Sequence, residues 1–296
     1  MTEKSIGKVL LLVADSEAAR TATRFAALLA GQCGAVVTAF SVARTGEARA
    51  DLERALAEAA ATLGKSSTAP VETAIVEGDL TAEAAKRARD GYDVTIFGAA
   101  PRSGREGRRM SLAVWQLAKT VETPVFLVPP DATPALGKIL LCTGGERYIE
   151  KGAKFVATVA ACVGAEVTLL HILPIAPEMY RAWAPVPRSA EPLLAGESRL
   201  ARQLKEQIAI FEKQGVRASL VLEESDSIER TIFDVRRRIG ADLVVVGSSP
   251  MRGRIRTSVL GNVTRDVIVG SRVPVLIVRS SPSGLFRDLW KILREG

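Results

Sequence analysis

Residues 247–267, "GSSPMRGRIRTSVLGNVTRDV", place Gly247, Gly253 and Gly261 together with Arg252, Arg254 and Arg256 directly after the apolar run "ADLVVVG". Backbone NH groups can close on a phosphate only where no Cβ intervenes, and a following helix N-terminus adds partial positive charge. The stretch therefore has the composition of a phosphate cradle. The same glycines also suit a turn that takes a buried strand into a helix, and glycines in such turns are common in α/β proteins that bind nothing. Both readings stand at this point.

Other chemistries find less support. The single histidine, His171 in "TLLHILP", has no acid and nucleophile spaced around it as acid–base or triad catalysis needs, so a structural role is expected. The turn "CTGGE", with Thr143, Gly144 and Gly145, is similar to the SGGxDS loop of ATP pyrophosphatases, but Arg147-Tyr148 stands where that loop has Asp-Ser. A non-enzyme is expected. Cys33, Cys142 and Cys162 are an odd count without CxxC spacing, which suggests neither a disulfide framework nor a zinc site but small buried thiols in a reducing cytoplasm. The net charge of +7 gathers in "RSGREGRR", "RRR" and "RGRIR". No aromatic residues interleave with these arginines as stacking platforms for single-stranded nucleic acid would require, so no nucleic-acid partner is expected.

The elements that must position these residues come as a duplication. "KVLLLVADSEAARTATRFAALLAGQCGAVVTAFSV" from Lys8 resembles "KILLCTGGERYIEKGAKFVATVAACVGAEVTLLHI" from Lys138, an offset of 138 − 8 = 130. Further on, "YDVTIFG" ending at Gly98 matches "ADLVVVG" ending at Gly247, and Pro124 matches Pro274, offsets of 149 and 150. The second copy carries its extra residues in "PIAPEMYRAWAPVPRSAEPLLAGES", which reads as a long loop or lid. Its apolar runs at 138–142, 165–172, 217–222, 242–247 and 274–279 alternate with helical patterns at 148–163, 196–214, 227–239 and 258–270. Runs as apolar as "DLVVVG" suit parallel strands buried on both faces, so each copy is expected to be a five-stranded doubly wound α/β domain. Ligands of such sheets sit beyond the carboxyl ends of the strands.

Both copies resemble universal stress protein domains, and the whole chain resembles the tandem members of that family. The resemblance rests on the "KILL" strand, "GAEVTLLHILP", the "VEGD" of residues 76–79, and "ADLVVVG…LGNVTRDVI…VPVLIV". It implies strand order 3-2-1-4-5, frequent dimerisation and, in some members, ATP held by G-x2-G-x9-G-(S/T) after the fourth strand. Counting back from the fifth-strand proline, the last glycine of that pattern falls at Gly261, followed by Asn262, in the second copy. In the first copy it falls at Ser111, followed by Leu112. The resemblance therefore assigns any nucleotide to the second domain. Its candidate contacts are Thr143, Gly144, Gly145, Val246, Gly247, Ser248, Gly253, Arg254, Gly261, Asn262, Val263 and Thr264. Two departures stand against it. Pro250 removes an NH from the loop, and no acid occupies the first-strand turn, where binding members place an aspartate; in the first copy Asp15 lies one place away from that position.

Domain 1 is expected over 1–134, domain 2 over 135–282 and an amphipathic tail helix over 283–296, with Leu285, Leu289, Trp290 and Leu293 on one face. The last strands, "TPVFLV" and "VPVLIV", would leave bare edges, so the halves are expected to pair edge to edge as a pseudo-dimer. No apolar run reaches the length of a spanning helix. The expected protein is a cytoplasmic, non-catalytic universal-stress-type protein that binds ATP or a related nucleotide, with or without magnesium, in domain 2. It acts in the stress response through conformation or docking on a protein partner, forms a homodimer, and has no membrane partner. The alternative is an interaction module with both sites degenerate.

Overall fold

The computed structural model of the chain describes residues 5–44, 49–66, 69–99, 102–104, 107–109, 111–144, 150–175, 189–250, 258–259 and 262–279. In chain order the first half contains β1 (Lys8–Leu12), α1 (Glu17–Cys33), β2 (Val36–Ala43), α2 (Arg49–Gly64), β3 (Val71–Glu77), α3 (Leu80–Ala88) and β4 (Val94–Gly98). The short pair β5 (Arg102–Gly104) and β6 (Gly107–Arg109), then α4 (Leu112–Thr120) and β7 (Val125–Val128), complete it. The second half contains β8 (Lys138–Cys142), α5 (Glu150–Val163), β9 (Glu166–Leu173), α6 (Ala190–Ala195), α7 (Arg199–Glu212), β10 (Ala218–Glu224) and α8 (Ile228–Ile239). It ends with β11 (Leu243–Pro250), β12 (Ser258–Val259), α9 (Asn262–Gly270) and β13 (Val275–Arg279).

The strand order is β10-β9-β8-β11-β13-β7-β4-β1-β2-β3, which is 3-2-1-4-5 twice, joined back to back. Along this path pairing is parallel within each half and antiparallel at the seam, where Val275 faces Leu127, Leu276 faces Phe126 and Ile277 faces Val125. The expected edge-to-edge pseudo-dimer is present.

Alternation explains the layers. Successive side chains of β1 leave opposite faces of the sheet, so Val9 and Leu11 join a core with Phe25 and Leu29 of α1, while Leu10 and Leu12 join another with Ala84 and Ala88 of α3. Each core runs through both halves: the first continues into Val156 of α5 and Phe211 of α7, the second into Ile232 of α8 and Val267 of α9. The strands read as continuous apolar runs because helices cover both faces.

Three expectations need correction. Cys33 and Cys162 form a disulfide, Cα to Cα 5.3 Å, across the two halves; spacing along the chain carries no sign of it because the sulfurs are 129 residues apart. The fourth strand of the second half runs on past Gly247 to Pro250, and Ser249 and Pro250 pair antiparallel with Val259 and Ser258. The helix placed at 258–270 therefore starts at Asn262. The insertion is not loop throughout, since Ala190–Ala195 is helical. Its residues 176–188 and the tail at 280–296, with Leu285, Leu289, Trp290 and Leu293, lie outside the described residues. Among the described residues no helix is long and apolar enough to cross a membrane.

Candidate functional site

β8 runs beside the first part of β11 in the second half, since Leu243, Val244 and Val245 pair with Ile139, Leu140 and Leu141. Val246 is buried in the core, and its side chain is packing rather than lining. Gly247 follows it, half-buried, and the Thr264 hydroxyl on the first turn of α9 donates to its carbonyl at 3.3 Å. That bond ties β11 to the first turn of α9. Ser248 sits opposite Arg279 in the ladder, Asn262 opens α9 at the surface, and Val263 packs partly against the core. Gly145, Gly253, Arg254 and Gly261 lie outside the described residues.

The two equivalent glycines, Gly98 at the end of β4 and Gly247 within β11, differ sharply. A Cβ on Gly98 of β4 would lie 2.3 Å from the carbonyl carbon of Ala18 and 2.5 Å from the Ala19 nitrogen, because the first turn of α1 crosses directly over it. Gly98 is a packing glycine. At Gly247 no described atom lies within 4 Å of the same position, and its φ is not positive, so neither packing among the described residues nor conformation asks for glycine there. Gly144 is open in the same way.

The first-strand turn is closed from inside. Thr143 is buried; its hydroxyl donates to Oε1 of Gln207 on α7 at 2.8 Å, and its NH donates to the Leu170 carbonyl at 2.9 Å. His171 Nδ1 lies 2.9 Å from the Thr143 carbonyl, which can only accept, so Nδ1 carries the proton. The equivalent first-half contact is Ser41 Oγ donating to the Val13 carbonyl at 2.8 Å. His171 is thus the structural residue expected of it, filling the place of Ser41. Gln207 was not legible as a site residue, since "KEQIAI" reads only as helix. Beyond it opens a cleft of about 1200 Å³, lined among others by Lys151, Lys154, Thr158 and Gln203 and, from the first half, Ser5 and Asp93.

In the first half the corresponding groups are already engaged. Asp15 pairs with Arg20 at 3.1 Å and Arg54 at 3.4 Å. Ser111, which stands where the second half has Gly261, caps α4 by accepting from the Val114 NH at 3.3 Å.

The sequence model of the Universal stress protein family matches residues 136–279. The second half is a universal stress protein domain. In overall fold the chain is similar to a universal stress protein from Archaeoglobus fulgidus DSM 4304, with a TM-score of 0.70 and 15% identity over 93% of this chain and 98% of that one. It is similar as well to a functionally unknown protein from Pseudomonas aeruginosa PAO1, with a TM-score of 0.66 and 17% identity over 98% of both chains. These are likenesses of fold, and they extend the universal stress protein architecture over the first half. A universal stress protein solved in complex with cAMP covers 50% of the chain at a TM-score of 0.36 and 18% identity, too slight a likeness to place a ligand here. No similarity to a curated protein was found.

Proposed function

We propose that the chain is a non-catalytic, cytoplasmic tandem universal stress protein whose second half takes ATP or a related nucleotide by its phosphates. It passes the bound state to a protein partner through conformation. The observation that carries the reading is that, among the described residues, no atom lies within 4 Å of a Cβ at Gly247 beside the first turn of α9, against the filled space at Gly98. A backbone with no Cβ in the way, next to the start of a helix, suits phosphate oxygens. The residues fit the phosphate end of a nucleotide better than its sugar, because Thr143 is turned inward to Gln207. Magnesium, if it accompanies the nucleotide, would be held chiefly by phosphate oxygens and water.

That inward Thr143 favours a second reading, an interaction module whose two sites are both degenerate. A thermal melt separates them, because a ligand that binds only the folded state must raise the midpoint. Millimolar ATP with magnesium is expected to raise the wild-type Tm. Gly247→Val should leave the ligand-free Tm close to wild type and abolish the rise. An unmoved wild-type midpoint would establish the interaction module instead.

A further inference from the structure

Cys33 is the last residue of α1 and Cys162 the second-last of α5, so their disulfide joins the two halves where two helices end. The two positions are nearly equivalent in the duplication, since 33 + 130 = 163, and α1 and α5 touch. Their Cα atoms, 5.3 Å apart, lie within the range a disulfide spans without moving the backbone. All three cysteines are partly exposed, and burial around the Cys142 thiol pushes it up to about 12. Two sulfurs have each other within reach and the third stands apart from the bond, which makes the arrangement selective.

We propose that Cys33 and Cys162 are a reversible thiol-oxidation site that staples the two halves. The oxidant is a low-molecular-weight disulfide. One cysteine, as thiolate, attacks a reagent sulfur and expels the first reagent thiol, leaving a mixed disulfide. The second cysteine, as thiolate, then attacks the protein sulfur of that mixed disulfide. The Cys33–Cys162 bond forms, the reagent bond is gone, and the two cysteine protons end on two released reagent thiols. Each cysteine stands at the end of its helix, so the bond ties two helix ends together. It encloses a long loop, constrains the unfolded chain and holds α1 against α5. The proposal is independent of nucleotide binding.

The full-length chain, fully reduced and freed of reductant, is treated with glutathione disulfide and then with a maleimide, and intact masses are recorded. Before oxidation the folded protein should take up two maleimides rapidly. After oxidation it should take up none, weigh less by two hydrogens, and release a single further site, Cys142, on unfolding. Its Tm should rise, and return on reduction. Cys33→Ser or Cys162→Ser should each abolish the oxidation-dependent rise in Tm, whereas Cys142→Ser should keep it. Stable glutathione adducts on both cysteines, or two maleimides still added after oxidation, would overturn the staple.

Discussion

A Cβ at Gly98 would collide with the backbone of Ala18 and Ala19, and backbone cannot swing aside as a side-chain tip can. Gly98→Ala must push α1 off the end of β4. Overpacking of this kind costs about 1–3 kcal/mol, so a Tm lower by several degrees is expected, read by calorimetry without ligand. If the nucleotide lies in the second half, the ATP-induced rise in Tm should survive this substitution. A variant as stable as wild type would mean that α1 relaxes freely. Paired with Gly247→Val, this exchange assigns one glycine to packing and the other to ligand approach, although both occupy equivalent positions in their own copy.

Helix starts carry the next level of organisation. Asp79 of the "VEGD" stretch is the N-cap of α3, accepting from the Ala82 NH at 2.9 Å, and Ser16 caps α1 in the same way at 3.2 Å. The stretch that supported the family resemblance is thus, in this half, a capping device. Asp79→Ala should cost about 1 kcal/mol, the usual value of such a cap, and be largely recovered by Asp79→Asn. Urea denaturation with an unchanged m-value would measure it. A loss well above that would indicate a further role for the carboxylate.

At the scale of the molecule the seam decides behaviour. Phe126 is 1% exposed and sits opposite Leu276, in a core that continues from α1 through α5. Arg279 reaches across from β13 to donate to the Ala118 carbonyl of α4 at 2.6 Å, and burial pushes its pKa down to about 10. Phe126→Ala should cost about 3–5 kcal/mol, and should do so in one cooperative transition because both halves share the core. Calorimetry showing two separated transitions in the wild type would contradict a shared core.

The order of elements, the duplication and the burial of the strands on both faces were legible in the sequence, because period and apolar runs are set by local geometry and by the need to cover a sheet. The seam was legible too, since "TPVFLV" and "VPVLIV" are too apolar to be left as free edges. Tertiary structure alone decided the rest. Cys33 and Cys162 meet only because two helices of different halves end together, and Gln207 closes on Thr143 only because α7 brings it within hydrogen-bond reach of the turn after β8. Pro250 looked like a lost donor in a loop, yet it is a strand residue paired with Ser258. Gly98 and Gly247 are alike as letters and differ in what surrounds them: β4 ends at Gly98 with the first turn of α1 lying on it, whereas β11 runs on past Gly247 and no described atom lies within 4 Å of a Cβ there. Contacts between residues distant along the chain are set by packing, and a one-dimensional pattern does not carry them.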